Sequence, residues 1–347
     1  MSDTPNTFSE RLQAFWHGRR DPWLALWTIP LSWLFAALAA LRRAAFACGL
    51  LRREQLPVPV VVVGNIHVGG AGKTPLTLAL LAKLHAAGLH PGVISRGYGG
   101  TARQAQSVGA EDSPALVGDE PLLYAQAGFA VAIGRRRSEA GRALLAAHPE
   151  VNVILADDGL QHYALARDIE LAVVDGGRGF GTGRLLPAGP LREPVSRLAQ
   201  VDAIVINGET RPAGLPVHPR CFHMHLQPGA LYRLAQPEQT AQAAAFAGQR
   251  LVALAGIGHP QRFFATLRQQ GLTPARCLAF ADHHAFTAAD LPDDADAIVI
   301  TSKDAVKWRA LDNGKLWVLP VTAQLDPELA DWLVSTLKEL LHGQQAA

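Results

Sequence analysis

Beyond residue 57 the chain alternates short, unbroken apolar runs with helical stretches. Six runs rich in Val and Ile end in Gly, Asp or Asn: VPVVVVG (58–64), HPGVISRG (90–97), FAVAIG (129–134), VNVILAD (151–157), IELAVVD (169–175) and VDAIVIN (201–207). Unbroken apolar runs indicate strands that are buried on both faces. Strands of this kind that alternate with helices predict an α/β fold whose parallel sheet is covered on both sides. Ligands of such sheets bind at the carboxyl ends of the strands.

The first of these strands leads into GNIHVGGAGKTPLT (64–77), which is close to the phosphate-binding loop pattern G-x-x-x-x-G-K-[ST]. His67 occupies the place of the first Gly, and Pro75 suits the first turn of the following helix. Lys73 is expected to bridge the terminal phosphates and Thr74 to hold Mg²⁺. The backbone amides that cradle phosphate are expected from Gly69, Gly70, Ala71 and Gly72. The sequence therefore predicts a bound nucleotide.

A carboxylate that helps to bind the metal ion is expected at the end of a neighbouring strand. Asp157 and Asp158 end the strand 151–157 and are followed by Gly159, whereas Asp175 ends the strand 169–175. The doubled carboxylate favours 157–158 over Asp175. A turn in which Asp bonds its own backbone is the structural alternative for either site.

Other segments at strand ends carry polar side chains. In SRGYGG (95–100), Arg96 suits a bidentate phosphate contact and Tyr98 a stacking or hydroxyl contact. VGDEP (117–121) places Asp119 at a junction of loop and helix, where an N-cap is an equally good explanation. FADHHAF (280–286) places two histidines beside an aspartate after a strand of the second half, and these histidines can face a cleft.

Residues 23–41 read WLALWTIPLSWLFAALAAL and carry no charge, while arginines flank both ends. More than twenty residues precede this segment, which disfavours a signal peptide. Its length is marginal for a spanning helix, and Pro30 interrupts it. Trp at headgroup depth, Leu and Phe in the acyl layer and Arg on anionic lipid suit a helix in the membrane interface. An ordinary buried N-terminal helix is the remaining alternative.

The length of 347 residues predicts more than one domain. We expect a membrane-associated helical segment (1–56), a P-loop nucleotide-binding domain (57–210), a linker or ribbon (211–245), a second, smaller α/β domain (246–325) and a C-terminal helix (326–347). The formal charge of +2 gives no indication of nucleic acid binding. Three scattered cysteines without CxxC spacing indicate a reducing compartment. Nothing in the sequence points to a protein partner.

Seven motifs together resemble one family, the tetraacyldisaccharide 4′-kinases that phosphorylate a lipid A precursor. They are GNIHVGGAGKTP, SRGYGG, GDEP, ADDGLQH, LLPAGPLREP, DHHAF and SKDAVK, in that order. The resemblance implies two α/β/α sandwich domains joined by a short β linker. It also implies ATP, Mg²⁺ and transfer of the γ-phosphate to the 4′-hydroxyl of an acylated glucosamine disaccharide 1-phosphate. The implied location is the cytoplasmic face of the bacterial inner membrane, with monotopic attachment through the N-terminal segment to its lipid surface.

The resemblance also implies roles for individual residues. Lys73 and Thr74 match the loop, and Asp157 matches the acid that binds the metal with Thr74. Asp119 is implied as the base, with support from His283 of the DHH element, although His284 is an alternative match. Further residues are implied to line the site: Arg96, Tyr98, Asp158, His162 and Glu193.

Two positions depart from the family pattern, and one rival function is left open. His67 stands where a small hydroxyl residue is usual, and Ser302 replaces a more usual Glu. The rival is a membrane-associated ATPase switch that resembles the loop ATPases with an extra Lys ahead of GGxGK. Val68 stands at that position, which argues against the switch.

Overall fold

The computed structural model describes residues 8–345, so residues 1–7 and 346–347 of the predicted terminal segments lie outside the described residues. The α-helices are α1 (Phe8–Trp16), α2 (Pro22–Ala47), α3 (Lys73–Ala86), α4 (Pro114–Val117), α5 (Asp119–Gln126), α6 (Arg137–Ala147), α7 (Pro260–Gln269), α8 (Ser302–Trp308) and α9 (Pro327–Gln345). The strands are β1 (Val60–Gly64), β2 (Pro91–Ser95), β3 (Gln106–Ser107), β4 (Ala130–Ile133), β5 (Val153–Asp157), β6 (Ile169–Asp175), β7 (Ala203–Asn207), β8 (Cys221–Pro228), β9 (Leu231–Arg233), β10 (Gln236–Ala241), β11 (Leu251–Ala255), β12 (Arg276–Ala279), β13 (Ala297–Thr301), β14 (Leu316–Leu319) and β15 (Val321–Leu325).

The six apolar runs identified in the sequence are strands β1, β2 and β4–β7, which confirms the predicted α/β fold with parallel strands. Every residue of β1, β2, β5 and β7 is buried. Burial on both faces explains why these strands are apolar throughout, since no position faces water.

Contacts divide the chain into two compact units that do not follow the chain order. The first comprises the described residues up to Lys73, then Val153–His225, and the described residues from Leu325 onwards. The second comprises Thr74–Asn152 and Leu226–Gln324. The domain boundaries expected from the sequence stay a prediction.

In the first unit five strands pair in parallel in the order β8–β7–β6–β1–β5. β1 lies between β6 and β5, with Val63 beside Asp157 of β5 and Gly64 beside Ala172 of β6. The carboxyl ends of β1, β5 and β6 therefore meet at one edge. This is the edge at which parallel sheets bind ligands.

The second unit contains the parallel pair β2–β4, with β3 antiparallel to β4. It also contains a six-stranded sheet in the order β10–β9–β14–β13–β11–β12. In this sheet β11–β14 pair in parallel, whereas β9 pairs antiparallel with both β14 and β10. Phe263, Phe264 and Leu267 of α7 pack with one set of its buried residues, and Trp308 of α8 packs with the other. The two faces of this sheet are thus covered by helices, as an α/β/α sandwich requires.

Helix α2 accounts for the apolar segment near the N-terminus. The Asp21 side chain accepts a hydrogen bond from Leu24 N (3.1 Å) and caps the helix. Leu24, Thr28 and Ser32 are spaced by four residues and are buried, so they form one stripe against the protein. Most of the other large apolar side chains of α2 are exposed. This helix is long and apolar enough to cross a membrane by length and composition.

Candidate active site

The loop between β1 and α3 has the backbone that a phosphate-binding loop requires. Gly69 and Gly72 adopt φ values of +103° and +94°, which residues with a Cβ rarely adopt. A Cβ on Gly72 would lie 2.6 Å from Asn207 Nδ2 and 2.8 Å from Met224 Cε, so a side chain is excluded there by space as well. Asn207, at the end of β7, donates from Nδ2 to the carbonyl of Ala71 (2.9 Å). The helix begins at Lys73, directly after the loop.

Lys73 and Asp158 are paired at the end of the loop. Lys73 Nζ lies 3.4 Å from Asp158 Oδ1, and Arg192 Nη1 donates to both carboxylate oxygens at 3.1 and 2.9 Å. Burial alone would raise the pKa of Asp158, but Lys73 and Arg192 outweigh it and hold this pKa well below the usual range of an aspartate. Asp158 is therefore an anion at neutral pH and pairs with two cations at the strand edge.

Asp157 lies at the carboxyl end of β5 and is 1% exposed. Its strand neighbour Val63 is followed by Gly64 and the loop, so β1 and β5 bring the carboxylate and the loop to the same edge. Asp175, the alternative acid, accepts hydrogen bonds at Oδ1 from Gly177 N (3.0 Å) and Arg178 N (3.1 Å). Its carboxylate therefore shapes the turn after β6, and Asp157 is the better candidate for a metal ligand.

Glu193 is a buried member of a polar network in the first unit. It is 3% exposed, and its Oε2 accepts from Gln161 Nε2 (3.0 Å) while Oε1 accepts from the Tyr163 hydroxyl. Arg43 Nη1 of α2 lies 3.6 Å from Oε1. Burial and the Glu193 charge raise the pKa of Tyr163 to about 12, so the phenol stays a hydrogen-bond donor. In this structure Glu193 therefore ties α2 to the residues around Arg192. His162, also predicted to line the site, is partly buried and lies between Gln161 and Tyr163 in the sequence.

In the second unit, Asp119 is the first residue of α5 and is 6% exposed. Asp119 Oδ2 lies 3.0 Å from His283 Nδ1 and 3.7 Å from Lys307 Nζ. Gly118 caps the helix, so the Asp119 carboxylate serves the histidine and is not an N-cap. Tyr98 packs edge-on against the His283 ring, with 4.8 Å between ring centroids. The structure thus brings together side chains of the SRGYGG, GDEP and DHHAF motifs.

His284 points to a different group of residues. Its Nε2 lies 3.4 Å from Asp290 Oδ2, and its ring stacks on Phe280 with 4.8 Å between centroids. Of the two adjacent histidines, His283 is therefore the one that contacts Asp119. Arg96, which follows β2, has an exposed side chain.

Lys303 contacts the second ring nitrogen of His283. Lys303 Nζ lies 3.4 Å from His283 Nε2 and also contacts Glu120 (3.1 Å) and Asp282 (3.3 Å). An ammonium has only donors, so in this contact Nε2 is the acceptor and Nδ1 carries the hydrogen. Nδ1–H then donates to Asp119.

Asp119 is held ionised by its neighbours. Burial would raise the pKa of Asp119, but the hydrogen bond from His283 and the charges of Lys307 and Lys303 outweigh burial and lower it. Lys307 is itself anchored by Asp304, with 2.8 Å between Nζ and Oδ1. The arrangement suits a carboxylate that must be charged and oriented before it accepts a proton.

The two lysines beside Asp119 and His283 were not predicted as site residues. Lys303 and Lys307 are four positions apart on α8 and therefore lie on one face of the helix. That spacing in SKDAVK was the available signal. Arg192 and Asn207 were also missed, because only the tertiary structure brings them to Asp158 and to the loop.

Backbone strain marks the same two sites. In the described part of the chain, the residues other than Gly with positive φ are Asp158 (46°) and His283 (61°). Such conformations cost of order 1–3 kcal/mol and persist where the surrounding structure enforces them, often at functional sites. One belongs to the loop site and the other to the Asp119 site.

Comparisons with known proteins identify the family of this chain. The sequence model of the family described as tetraacyldisaccharide-1-P 4′-kinase matches residues 24–338. A tetraacyldisaccharide 4′-kinase of Chromobacterium violaceum is 56% identical over 96% of this chain and 99% of its own length. One of Dechloromonas aromatica is 52% identical over 97% of this chain and 98% of its own.

A solved structure has the same fold. The crystal structure of LpxK from Aquifex aeolicus, described as a complex with ATP, aligns with a TM-score of 0.75 and 26% identity over 91% of this chain and 98% of that one. The match of the family model over most of the chain and the identity of the relatives lead to one conclusion: this chain belongs to the tetraacyldisaccharide 4′-kinase family.

Proposed function

We propose that this protein transfers the γ-phosphate of ATP to the 4′-hydroxyl of a tetraacyldisaccharide 1-phosphate, a lipid A precursor, and so forms lipid IVA. The observation that carries the proposal is the buried Asp119–His283 pair, in a chain that also carries the phosphate-binding loop with Lys73. A nucleotide loop alone fits any ATPase. A charged and oriented carboxylate is what a hydroxyl acceptor requires, because a sugar hydroxyl is a poor nucleophile near neutral pH.

Charge neutralisation is the task of the loop. The amides of Gly69–Gly72 and the N-terminus of α3 bind phosphate oxygens, and Lys73 bridges the terminal phosphates. Asp158 holds Lys73 at the start of the helix. Arg96 and Tyr98 are proposed to contact the nucleotide or the acceptor.

The residues fit Mg²⁺ by the chemistry of their donors, because the Asp157 carboxylate and the Thr74 hydroxyl are the hard oxygen ligands that this ion prefers. When bound, Mg²⁺ neutralises charge on the transferred phosphoryl group. Asp157 needs little reorganisation for this role, because β5 fixes its backbone beside β1.

Proton removal is the task of Asp119. Its Oδ2 accepts the Nδ1–H of His283, which orients the carboxylate and leaves the remaining lone pairs for the acceptor hydroxyl. As the hydroxyl attacks, Asp119 takes its proton, and the hydrogen bond from His283 stabilises the carboxylate until then.

The acceptor is proposed to reach the enzyme from a lipid surface on the cytoplasmic face of the inner membrane. Trp23, Trp27 and Trp33 of α2 are 73%, 69% and 70% exposed, whereas the Leu24–Thr28–Ser32 stripe packs on the protein. Because one stripe of α2 is occupied by protein, we propose that α2 lies in the membrane interface and does not cross the bilayer. Vesicle sedimentation with anionic lipids, read before and after a high-salt wash, tests this attachment.

A cavity beside α2 suits part of an acyl chain. Its volume is about 280 Å³, at the small end for ligand pockets. The lining residues are Ile29, Ser32, Trp33, Ala36, Arg184, Leu185 and Ala188. Ser32 Oγ donates to the carbonyl of Leu185 (2.8 Å) and holds the helix against this segment.

One assay separates the kinase from the ATPase switch. Purified protein is incubated with γ-labelled ATP and the acylated disaccharide 1-phosphate in mixed micelles, and label is measured in lipid and in free phosphate. We expect label in the lipid. Steady release of labelled phosphate with none in the lipid would reject the kinase proposal.

The two histidines are expected to differ in their effect on turnover. His283→Asn keeps a residue that tolerates positive φ but removes the imidazole, and turnover should fall less than on loss of Asp119 because His283 acts through the carboxylate. His284→Asn should stay within about twofold of the wild type in kcat, because His284 contacts Asp290 and Phe280 and not Asp119. The reverse ranking in kcat would assign the role to His284.

The pH profile should respond to Lys303. Lys303 contributes to the lowered pKa of Asp119, so Lys303→Gln should raise that pKa. A base is inactive when protonated, and therefore the acidic limb of the kcat profile should move to higher pH, with a smaller change above neutrality. Lys303→Arg should keep the limb in place, as should Lys338→Gln at an exposed position of α9. A uniform loss at every pH in the Gln variant would indicate a structural role alone.

A further inference from the structure

Arg178 follows β6 at the same strand edge as the loop. β6 is the parallel neighbour of β1, and the Asp175 carboxylate at its end binds the backbone amides of Gly177 and Arg178. These two hydrogen bonds hold the backbone of the turn, and so they also fix the position of the Arg178 backbone. No sequence motif singled this residue out.

The guanidinium of Arg178 lies against the loop at Gly69. A Cβ built on Gly69 would be 3.1 Å from Nη1, 3.8 Å from Nη2 and 3.9 Å from Cζ. Gly69 is the second residue after His67 and precedes Lys73 by four. The amides of this stretch are the ones that a phosphate-binding loop turns towards the outer phosphates.

The guanidinium of Arg178 has no ion-pair partner among the described residues. Among residues 8–345, no carboxylate oxygen lies within 4.0 Å of its guanidinium in the ion pairs of the structure, and its buried Nη1 has no hydrogen-bond partner. Its Nη2 lies 3.5 Å from His17 Nε2. By contrast, Lys73 and Arg192 share Asp158. A partly buried guanidinium with an unused donor is costly unless an anion meets it.

The side chain of His67, which lies in the same loop, does not change the positive charge at Arg178. The ring is 3% exposed, and its Nδ1 lies 3.2 Å from the carbonyl of Val68. Burial, with smaller contributions from Lys73 and Arg178, lowers the pKa of His67 to about 4 against opposing contributions from Val68 and Asp175. His67 is therefore a neutral side chain at neutral pH. It adds no cation of its own, and Arg178 stays the second positive group of the loop beside Lys73.

We propose that Arg178 binds the terminal phosphate of ATP on the loop and stabilises the charge that develops there during transfer. The catalytic role of Arg178 rests on the proposed function. Its role in binding ATP rests on the phosphate-binding loop alone. A guanidinium presents its donors in a planar fork that matches two phosphate oxygens. In phosphoryl transfer the charge spreads over the equatorial oxygens of the transferred group, where an arginine is effective.

The test compares ATP with ADP, because ADP lacks the phosphate in question. Affinities of the full-length protein for each nucleotide with Mg²⁺ are measured by calorimetry for Arg178→Gln, Arg178→Lys and wild type. We expect Arg178→Gln to bind ATP about tenfold to a hundredfold more weakly, as for loss of a hydrogen bond to a charged group, with the ADP affinity nearly unchanged. Turnover should fall about 10³-fold or more, and Arg178→Lys should recover part of both losses.

Equal affinities of Arg178→Gln and wild type for both nucleotides, or equal losses for both, would overturn the assignment. Arg250→Gln, which breaks an exposed ion pair with Asp294 (2.8 Å), is the matched control and should leave both affinities unchanged. If Arg178→Gln unfolds below the assay temperature, the test uses Arg178→Lys instead and compares the ratio of its ATP affinity to its ADP affinity with that of the wild type. If wild-type protein binds ATP but labels no lipid, the proposed function fails while the binding comparison still decides the role of Arg178.

Discussion

An Asp119→Ala protein is expected to bind ATP normally while its turnover falls by about 10²- to 10⁴-fold, the range for loss of a general base. Asp119 is buried, accepts the His283 Nδ1–H and lies 3.7 Å from Lys307 Nζ, so its carboxylate is charged and fixed before the acceptor arrives. The loop residues that are proposed to bind the phosphates do not include this carboxylate. ATP affinity by calorimetry and kcat with labelled ATP measure the two parts separately.

Matched variants separate the base from the fold. Asp119→Asn keeps the shape and a hydrogen-bond acceptor for His283 but cannot take a proton, so it should lose as much turnover as Asp119→Ala. Glu111→Ala removes an exposed acid of the same segment and should leave kcat within about twofold, as exposed substitutions usually do. Unchanged turnover in either Asp119 variant would remove Asp119 from the mechanism.

A Lys73→Met protein is expected to lose about 10²- to 10³-fold in kcat, the usual effect of removing one preorganised electrostatic stabiliser of the transition state. Its ATP affinity should also weaken, because Lys73 meets the phosphates in the ground state as well. The lysine is only 13% exposed at the first position of α3, and Asp158 keeps it there. Single-turnover transfer and nucleotide titration provide the two measurements.

The control for Lys73 lies on the same helix. Lys83 is exposed near the end of α3, and Lys83→Met should behave as wild type in both measurements. Lys73→Arg should not restore activity fully, since a planar fork replaces a compact point charge. A Lys73→Met protein that transfers phosphate at the wild-type rate would show that the loop is not the catalytic phosphate site.

The sequence alone predicted the fold to a useful depth because burial leaves a local record. A strand covered on both faces must be apolar at every position, so VPVVVVG and VDAIVIN could be identified without knowledge of their partners. The same holds for the loop, whose glycines meet local backbone requirements at positions such as 69 and 72. The stretch 23–41 likewise identified an apolar helix by composition, and α2 contains it.

The order of strands was beyond such local reasoning. β1 lies between β5 and β6, which follow it by about ninety residues or more. No local sequence pattern indicates that these strands pair. Nor did chain order reveal that the compact units interleave, since Val153–His225 joins the N-terminal part and not its immediate predecessor. Pairings between distant segments depend on the whole set of competing contacts.

For the sites, residue types were predictable and partners were not. The sequence by itself determined a nucleotide loop with Lys73, a doubled aspartate at the end of a strand and a histidine pair after a later strand. Only the tertiary structure decided that His283 and not His284 contacts Asp119, and that Arg192 shares Asp158 with Lys73. It also decided that Arg178 lies at Gly69 without an ion-pair partner in the described part of the chain. The physical reason is that the residue type alone tells whether a side chain is charged. Whether that charge is neutralised depends on which side chains the fold brings within a few ångströms of it.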